Sequence, residues 1–287
     1  MHAKGLFVGL TTLDFIYLSD RPLTENQKLV AQDYLTVAGG PATNAGVAFN
    51  YLGDHSKLIT VIGQHPLTQL IKSDLAQHSL EIVDLIPEKT DSPPISSIIV
   101  TATTGKRAVI SLNAVKSQGD NIIPQDLLTD IDLILIDGHQ LPVSIAIAKI
   151  ANSKQIPVVM DGGSWKPGLE KILPLVDYAI CSANFYPPQC QNSDHVFNFL
   201  QNQGISHIAI TQGEKPIQYL SPDARFTIPI PTVKTVDTLG AGDIFHGAFC
   251  HYILKEDFAT ALKMAAKIAS KSCQFFGTRN WMLSSST

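Results

Sequence analysis

The sequence predicts an α/β fold: a mostly parallel sheet with helices on both faces, carrying a small second sheet as a lid. Three observations predict it. Short runs of Val, Ile and Leu that stop at Gly, Asp or Ser alternate with helix-period segments for most of the 287 residues. Those runs are continuously apolar, as in strands buried on both faces. Two other stretches, residues 14–37 and 95–112, alternate polar and apolar residues, which marks a sheet with one wet face.

The strands are read, in order, in LFVGL, SKLITVIG, DLILIDG, IPVVMDGG, DYAICS and SHIAITQG. The N-terminal MHAKGLFVGLTTLDF has only a short apolar run broken by Thr and Asp, so it reads as the first strand and not as a signal peptide. Helices are read in PATNAGVAFNYLG, PLTQLIKSDLAQH, PVSIAIAKIANSK and HVFNFLQNQG. This β-α-β-α order implies parallel strands joined by helical crossovers. The alternating PISSIIVTATTGKRAVISL turns near Thr104 and Gly105, and EKTDSPP before it is a loop or hinge. We place the two alternating stretches together as a lid inserted into one domain spanning residues 1–287. The Ser-rich residues 284–287 read as a frayed tail.

Composition excludes several classes. A formal charge of −4 with interspersed signs argues against a nucleic-acid or membrane surface. No apolar stretch is long enough to span a bilayer. The four cysteines are far apart and the nine histidines scattered, so neither a disulfide framework nor a tightly bound transition metal is expected, and the compartment is the reducing cytoplasm.

Chemistry concentrates in TVDTLGAGDIFHGAF, residues 235–249. Ile244, Phe245, Ala248, Phe249, Tyr252 and Ile253 recur at helical spacing, so a helix begins near Ala241 or Gly242. Its first amides have no intrahelical partner and the macrodipole makes that end positive. Small residues at Gly240, Ala241 and Gly242 let a phosphoryl group approach the bare backbone. Asp243, in the same turn, is then a general base for an attacking hydroxyl. An isolated Asp there would read as a helix cap, but a cap needs one polar residue and not a Gly-Ala-Gly run. The spacing matches neither GxxxxGK[ST] nor GxGxxG.

DTLGAGDIFHGAF resembles the C-terminal signature of the PfkB-type carbohydrate kinases, the ribokinase-like family, and GGPATNAGVAFNYLG resembles the N-terminal one. The likeness runs from about residue 4 to 277 and is strongest toward the ketohexokinase and sulfofructose kinase branch, in residues 23–48 and VVMDGGSW. It implies a three-layer αβα fold with a β-sheet lid, and phosphorylation of a sugar hydroxyl by ATP with Mg²⁺. It also implies residue roles: Asp243 as base, Gly240, Ala241 and Gly242 as anion hole, and Asp14, Gly39, Gly40 and Asn44 as sugar ligands. Those residue types suit the task, since a carboxylate accepts from two hydroxyls and an amide both donates and accepts. Asp14 alone would read as a loop aspartate and Asn44 as a helix-face amide.

On the nucleotide side the resemblance places Asn184, Thr211 and Gly213 near ATP. Pro187 stands where the family often has a glutamate near the metal. Asp237 and the backbone of Leu239 match positions that bind a monovalent cation, K⁺, in some members; Asp237 equally reads as a turn cap. Pro41 stands where many ribokinases carry lysine, and the substrate is read as a neutral ketose or related furanose. A phosphorylated or sulfonated sugar would need a cation, for which Lys28, Arg107, Lys116 and His139 are the candidates. A nucleoside or vitamin kinase, or a non-catalytic binding protein of the same fold, are the other readings. Family members often pair their lids, which implies a homodimer.

Overall fold

A computed structural model describes residues 2–112, 118–119, 123, 126–221 and 224–283. Lys116 and the tail at 284–287 lie outside these residues. The main sheet is built from β1 (Lys4–Val8), β4 (His55–Thr60), β5 (Glu81–Asp84), β8 (Leu133–Ile136), β9 (Val158–Gly162), β10 (Tyr178–Ser182), β11 (His207–Gln212), β12 (Lys215–Leu220) and β13 (Arg225–Ile228). Their order is β13-β12-β11-β10-β9-β8-β1-β4-β5. The seven strands from β11 to β5 run parallel, while β12 and β13 close one edge antiparallel.

The continuously apolar strands serve two layers by period-2 alternation. Leu6, Val8, Ile134 and Ile136 face one core, with Ile147 of α3 (Leu141–Ser153) and Phe197 of α4 (Ser193–Asn202). Phe7, Leu133 and Leu135 face the other. There they meet Ala45 of α1 (Pro41–Tyr51), Ile71 of α2 (Thr68–Gln77), Phe249 of α5 (Ala241–Ile253) and Leu262 of α6 (Phe258–Ser272). This is the expected three-layer αβα arrangement. β5, β12, β13 and α6 were not among the elements read from the sequence. The hairpin β12–β13 lies at an edge with outward polar residues, so it lacks the apolar runs of the central strands.

A separate four-stranded sheet, β3-β2-β6-β7, is formed by β2 (Thr12–Ser19), β3 (Asp33–Gly39), β6 (Ile95–Thr101) and β7 (Arg107–Ser111). β2 and β6 pair in parallel, with Leu13 opposite Ile95. Its strands start at Thr12 and continue to Gly39, slightly beyond the 14–37 read from alternation. The expected turn is present: Gly105 has φ +65° and its amide donates to the Thr101 carbonyl. Ile16, Val37, Ile98 and Val100 pack with Phe276, giving the lid a small core of its own.

The helices bearing the motifs are locked together. A side chain on Gly247 of α5 would collide with the Ala45 carbonyl of α1, and backbone cannot swing aside as a flexible side chain can. Gly247→Val should therefore destabilise the protein by about 1–3 kcal/mol through overpacking. A denaturation midpoint unchanged from the wild type would contradict this packing.

Candidate active site

α5 opens on Gly240, which caps it in the left-handed conformation (φ 69°, ψ 4°). A Cβ on Gly240 would lie 2.7 Å from Thr278 Cγ2, so only glycine fits without a shift. A Cβ on Gly242 would meet nothing within 4 Å. Open space therefore faces the amide end of the helix, where backbone dipoles favour an anion.

Asp243 is half-buried in that first turn. Asn44 Nδ2, from the first turn of α1, donates to Asp243 Oδ2 at 2.8 Å. Burial pushes the Asp243 carboxyl up to about 7, and the nearby Asp161 carboxylate adds to the rise. The Asn44 hydrogen bond, His246 and Arg107 act the other way. Asp161 lies one residue before the end of β9 and its carboxyl is itself raised by burial. One helical turn past Gly242, His246 Nδ1 lies 2.7 Å from the Gly242 carbonyl oxygen and 3.5 Å from Asp161 Oδ2, and its Nε2 lies 3.2 Å from the Ile180 carbonyl oxygen.

The lid supplies the opposite wall. Asp14 is buried on β2, where Thr12 Oγ1 donates to its Oδ1 at 2.6 Å, and burial raises its carboxyl. Gly39 and Gly40 are required by packing as well as by access. A side chain on Gly39 would occupy the position of the Asp14 carboxylate, and one on Gly40 (φ +101°) would strike the Leu10 carbonyl. Arg107 Nη1, on β7, donates to Thr238 Oγ1 at 2.8 Å, which ties the lid to the loop before α5. Lys28 is exposed in the β2–β3 connection. His139 is half-buried, its ring proton affinity lowered by burial, and its amide donates to Asp137 Oδ1 at 2.8 Å.

Thr211 and Gly213 lie at the C-terminal end of β11, and Asn184 just beyond β10. Because β9, β10 and β11 are parallel, these residues share one sheet edge with Asp161, the edge at which open α/β sheets bind ligands. Pro187 is buried. Asp237 is buried, with Oδ1 accepting from the Leu239 amide and Oδ2 from the Gly277 amide, both at 2.9 Å; burial raises its carboxyl. The structure thus gathers Asp14, Gly39, Gly40, Asn44 and Asp243 on one side, with Asn184, Thr211 and Gly213 along the strand ends.

Sequence reasoning missed four groups. Arg279, 8% exposed, donates from Nη1 to Asn44 Oδ1 at 2.8 Å. Asp74 of α2 lies 3.4 Å from Arg279 Nη2. The buried Asp161–His246 contact is the third. The fourth is Asp137, which accepts from the amides of Leu10 and Ala42 as well as His139. For Asp137 and Asp161 a signal existed: each lies at the end of an apolar parallel strand, in DLILIDG and VVMDGG. For Arg279 the only hint was a lone arginine in the apolar FFGTRNW.

A lidded αβα fold whose crevice sets a carboxylate at a glycine-rich helix N-terminus defines a phosphoryl-transfer enzyme of the ribokinase-like class. The chain belongs to the pfkB family of carbohydrate kinases, whose description matches residues 3–285. It is 24% identical over 289 residues to ribokinase from Bacillus subtilis (strain 168), covering 96% of this chain and 94% of that one. It is also 24% identical over 261 residues to the fructosamine kinase FrlD of the same organism, covering 83% and 84%. The solved structure of Arabidopsis thaliana ribokinase with ribose and ATP superposes with a TM-score of 0.77 at 19% identity, covering 99% of this chain and 100% of that one. These matches do not single out a ketohexokinase branch.

A carboxylate raised by burial stays protonated to higher pH in the folded chain than in the unfolded one, so its ionisation costs stability above its ordinary range. Asp243→Asn should raise the melting temperature at pH 8 by ~2 °C or more. The gain should shrink toward pH 4, where the wild-type carboxyl is also neutral when folded. A lower melting temperature at pH 8 would contradict the burial.

Proposed function

We propose that the protein transfers the γ-phosphoryl group of ATP to a sugar hydroxyl. The observation that carries this reading is the meeting, in one crevice under the lid, of the Asp243 carboxylate with the open backbone at Gly242. Asp243 takes the proton of the attacking hydroxyl, that oxygen bonds to the γ-phosphorus, and the bond from phosphorus to the bridging oxygen breaks to leave ADP. The amides of Gly240, Ala241 and Gly242 stabilise charge on the phosphoryl oxygens during transfer. Asp14 and Asn44, with Gly39 and Gly40, orient the sugar from the lid side. Thr211, Gly213 and Asn184 line the nucleotide's side.

The acceptor we favour is a neutral ketose or related furanose. Relatives named ribokinase and fructosamine kinase support a sugar acceptor. Among the described residues no three acidic, His or Cys side chains group to hold a metal. Mg²⁺ would arrive with the nucleotide, and Pro187 would offer it no carboxylate. When bound, Mg²⁺ neutralises charge on the β- and γ-phosphates. At Asp237 each oxygen keeps a lone pair beyond its backbone hydrogen bond, which fits K⁺ held with the Leu239 backbone.

We read the chain as one domain with the lid as an insertion. All four cysteines are free, which suits a reducing cytoplasm, and no described helix is long and apolar enough to cross a membrane. We propose a homodimer through the lid. β7 is a fully exposed edge strand, with Ile110 72% and Val109 51% exposed, and an edge of that kind invites pairing.

ADP release should be measured with ATP and Mg²⁺ across ketoses, pentoses, sugar phosphates, sulfonated sugars and nucleosides, in K⁺ and in tetramethylammonium. One neutral sugar should turn over, faster in K⁺, and Asp243→Asn should lose about two to four orders of magnitude in kcat. The wild-type kcat should fall as the pH drops through about 7, because the base is then protonated. Unchanged turnover in the variant would remove Asp243 from this role, and silence across the panel would favour a non-catalytic binding protein. Sedimentation equilibrium checks the dimer: the wild type should exceed the 31.1 kDa monomer and Ile110→Glu should return to it.

A further inference from the structure

We infer that Arg279 is a positioning residue for the base: through the side-chain amide of Asn44 it keeps Asp243 facing a hydrogen-bond donor. The inference rests on the reading of Asp243 given above. An Asn side chain presents an oxygen and a nitrogen of nearly equal size, so shape alone does not decide which faces which neighbour. A guanidinium decides it, because it only donates. With Arg279 Nη1 at 2.8 Å, the atom of Asn44 turned toward it must be Oδ1, and Nδ2 is left to donate to Asp243 Oδ2 at 2.8 Å. Turned the other way, the amide would set oxygen against the carboxylate, an arrangement that only a protonated Asp243 relieves.

Arg279 is itself held from several elements. Nη2 donates to the Ala38 carbonyl of β3 at 2.6 Å and lies 3.4 Å from Asp74 Oδ2 of α2; Nη1 also donates to Thr278 Oγ1 at 3.0 Å. Asp74 Oδ2 in turn accepts from the Ala38 amide at 3.1 Å. Both terminal nitrogens are thus engaged by protein, and the side chain is buried. That geometry suits orientation of Asn44, with only Nε of the guanidinium left without a partner among the described residues. The connection also joins the lid strand β3 to the base.

Other charges bear on Asp243. Asp161 from β9 opposes its ionisation, while His246 on α5 and Arg107 from β7 favour it. Arg279 faces Asp74, Asp14 and Asp243, and the His78 ring lies close enough to feel both Arg279 and Asp74. Loss of the guanidinium charge could by itself move the titration of Asp243, so the test needs one variant that removes the charge and one that keeps it.

The experiment follows the Asp243 carboxyl by ¹³C NMR titration, with Asp243→Asn identifying the resonance, beside the pH profile of kcat. In Arg279→Met both midpoints should rise by on the order of one pH unit. The rate lost at pH 7 should largely return at pH 9. Arg279→Lys keeps the charge but loses the planar fork that spans Ala38 and Asn44. Its ammonium also only donates, so wherever it reaches Asn44 Oδ1 both midpoints should stay near the wild type. Asn44→Leu keeps the guanidinium and removes the amide: it should raise both midpoints, and it carries the test if Arg279→Met does not fold. Adding Arg279→Met to Asn44→Leu should raise them by less than Arg279→Met does alone; an undiminished rise, or a midpoint unmoved in Asn44→Leu, would overturn the orienting role and leave only a charge effect. Rates lowered equally at every pH in Arg279→Met and Asn44→Leu would overturn it in favour of packing. A wild type that titrates as expected but turns over no sugar would strike the functional reading and not this connection.

Discussion

Three carboxyl groups, those of Asp14, Asp161 and Asp243, are drawn away from water around one crevice, and burial raises the proton affinity of each. Much of the surrounding structure answers that one constraint. A buried carboxylate survives only where donors or cations replace its hydration. Thr12 serves Asp14, His246 lies beside Asp161, and Asn44 serves Asp243. Behind them the buried Arg279 sits between Asp74 and the site. The main sheet, α1, α2, α5, the lid and the segment after α6 all contribute to this set, so the site depends on the contacts between layers and not on any one loop.

The lid is bound to the same region through backbone and packing. Thr238 Oγ1 accepts from Arg107 and lies 3.4 Å from the Gly105 carbonyl oxygen, so one hydroxyl touches the β7 side of the β6–β7 turn at two points. Phe276, three residues before Arg279, fills the small core beneath the lid sheet. Closure over the crevice and placement of the polar network are therefore carried by adjacent residues of one segment.

The central strands, α1–α5 and the lid strands were legible because each has an unambiguous hydrophobic period and a clear stop. β12 and β13 were not, since an edge hairpin half in water presents short mixed segments such as KPIQYL and RFTI. The glycine loop, Asp243, Asp14 and Asn44 were legible because they lie in compact strings whose chemistry is local. Arg279 was not: its meaning lies in Asn44, 235 residues away, and no local pattern records such a partner. Arg107 could be placed on the lid, but its bond to Thr238 crosses 131 residues and is equally invisible along the chain.

Those separations also bear on how the chain comes to be competent. The bond from Asn44 to Asp243 spans 199 residues and that from Arg279 to Asn44 spans 235. Contacts so distant repay their loop-closure cost only after the intervening layers have formed. During synthesis α1 emerges early, yet its amide has nothing to orient it until the segment after α6 has left the ribosome. A nascent or truncated chain can thus collapse around its strands while the hydrogen bonds from Arg279 to Asn44 and from Asn44 to Asp243 are still incomplete. Ordering of the crevice and completion of the fold become the same late event.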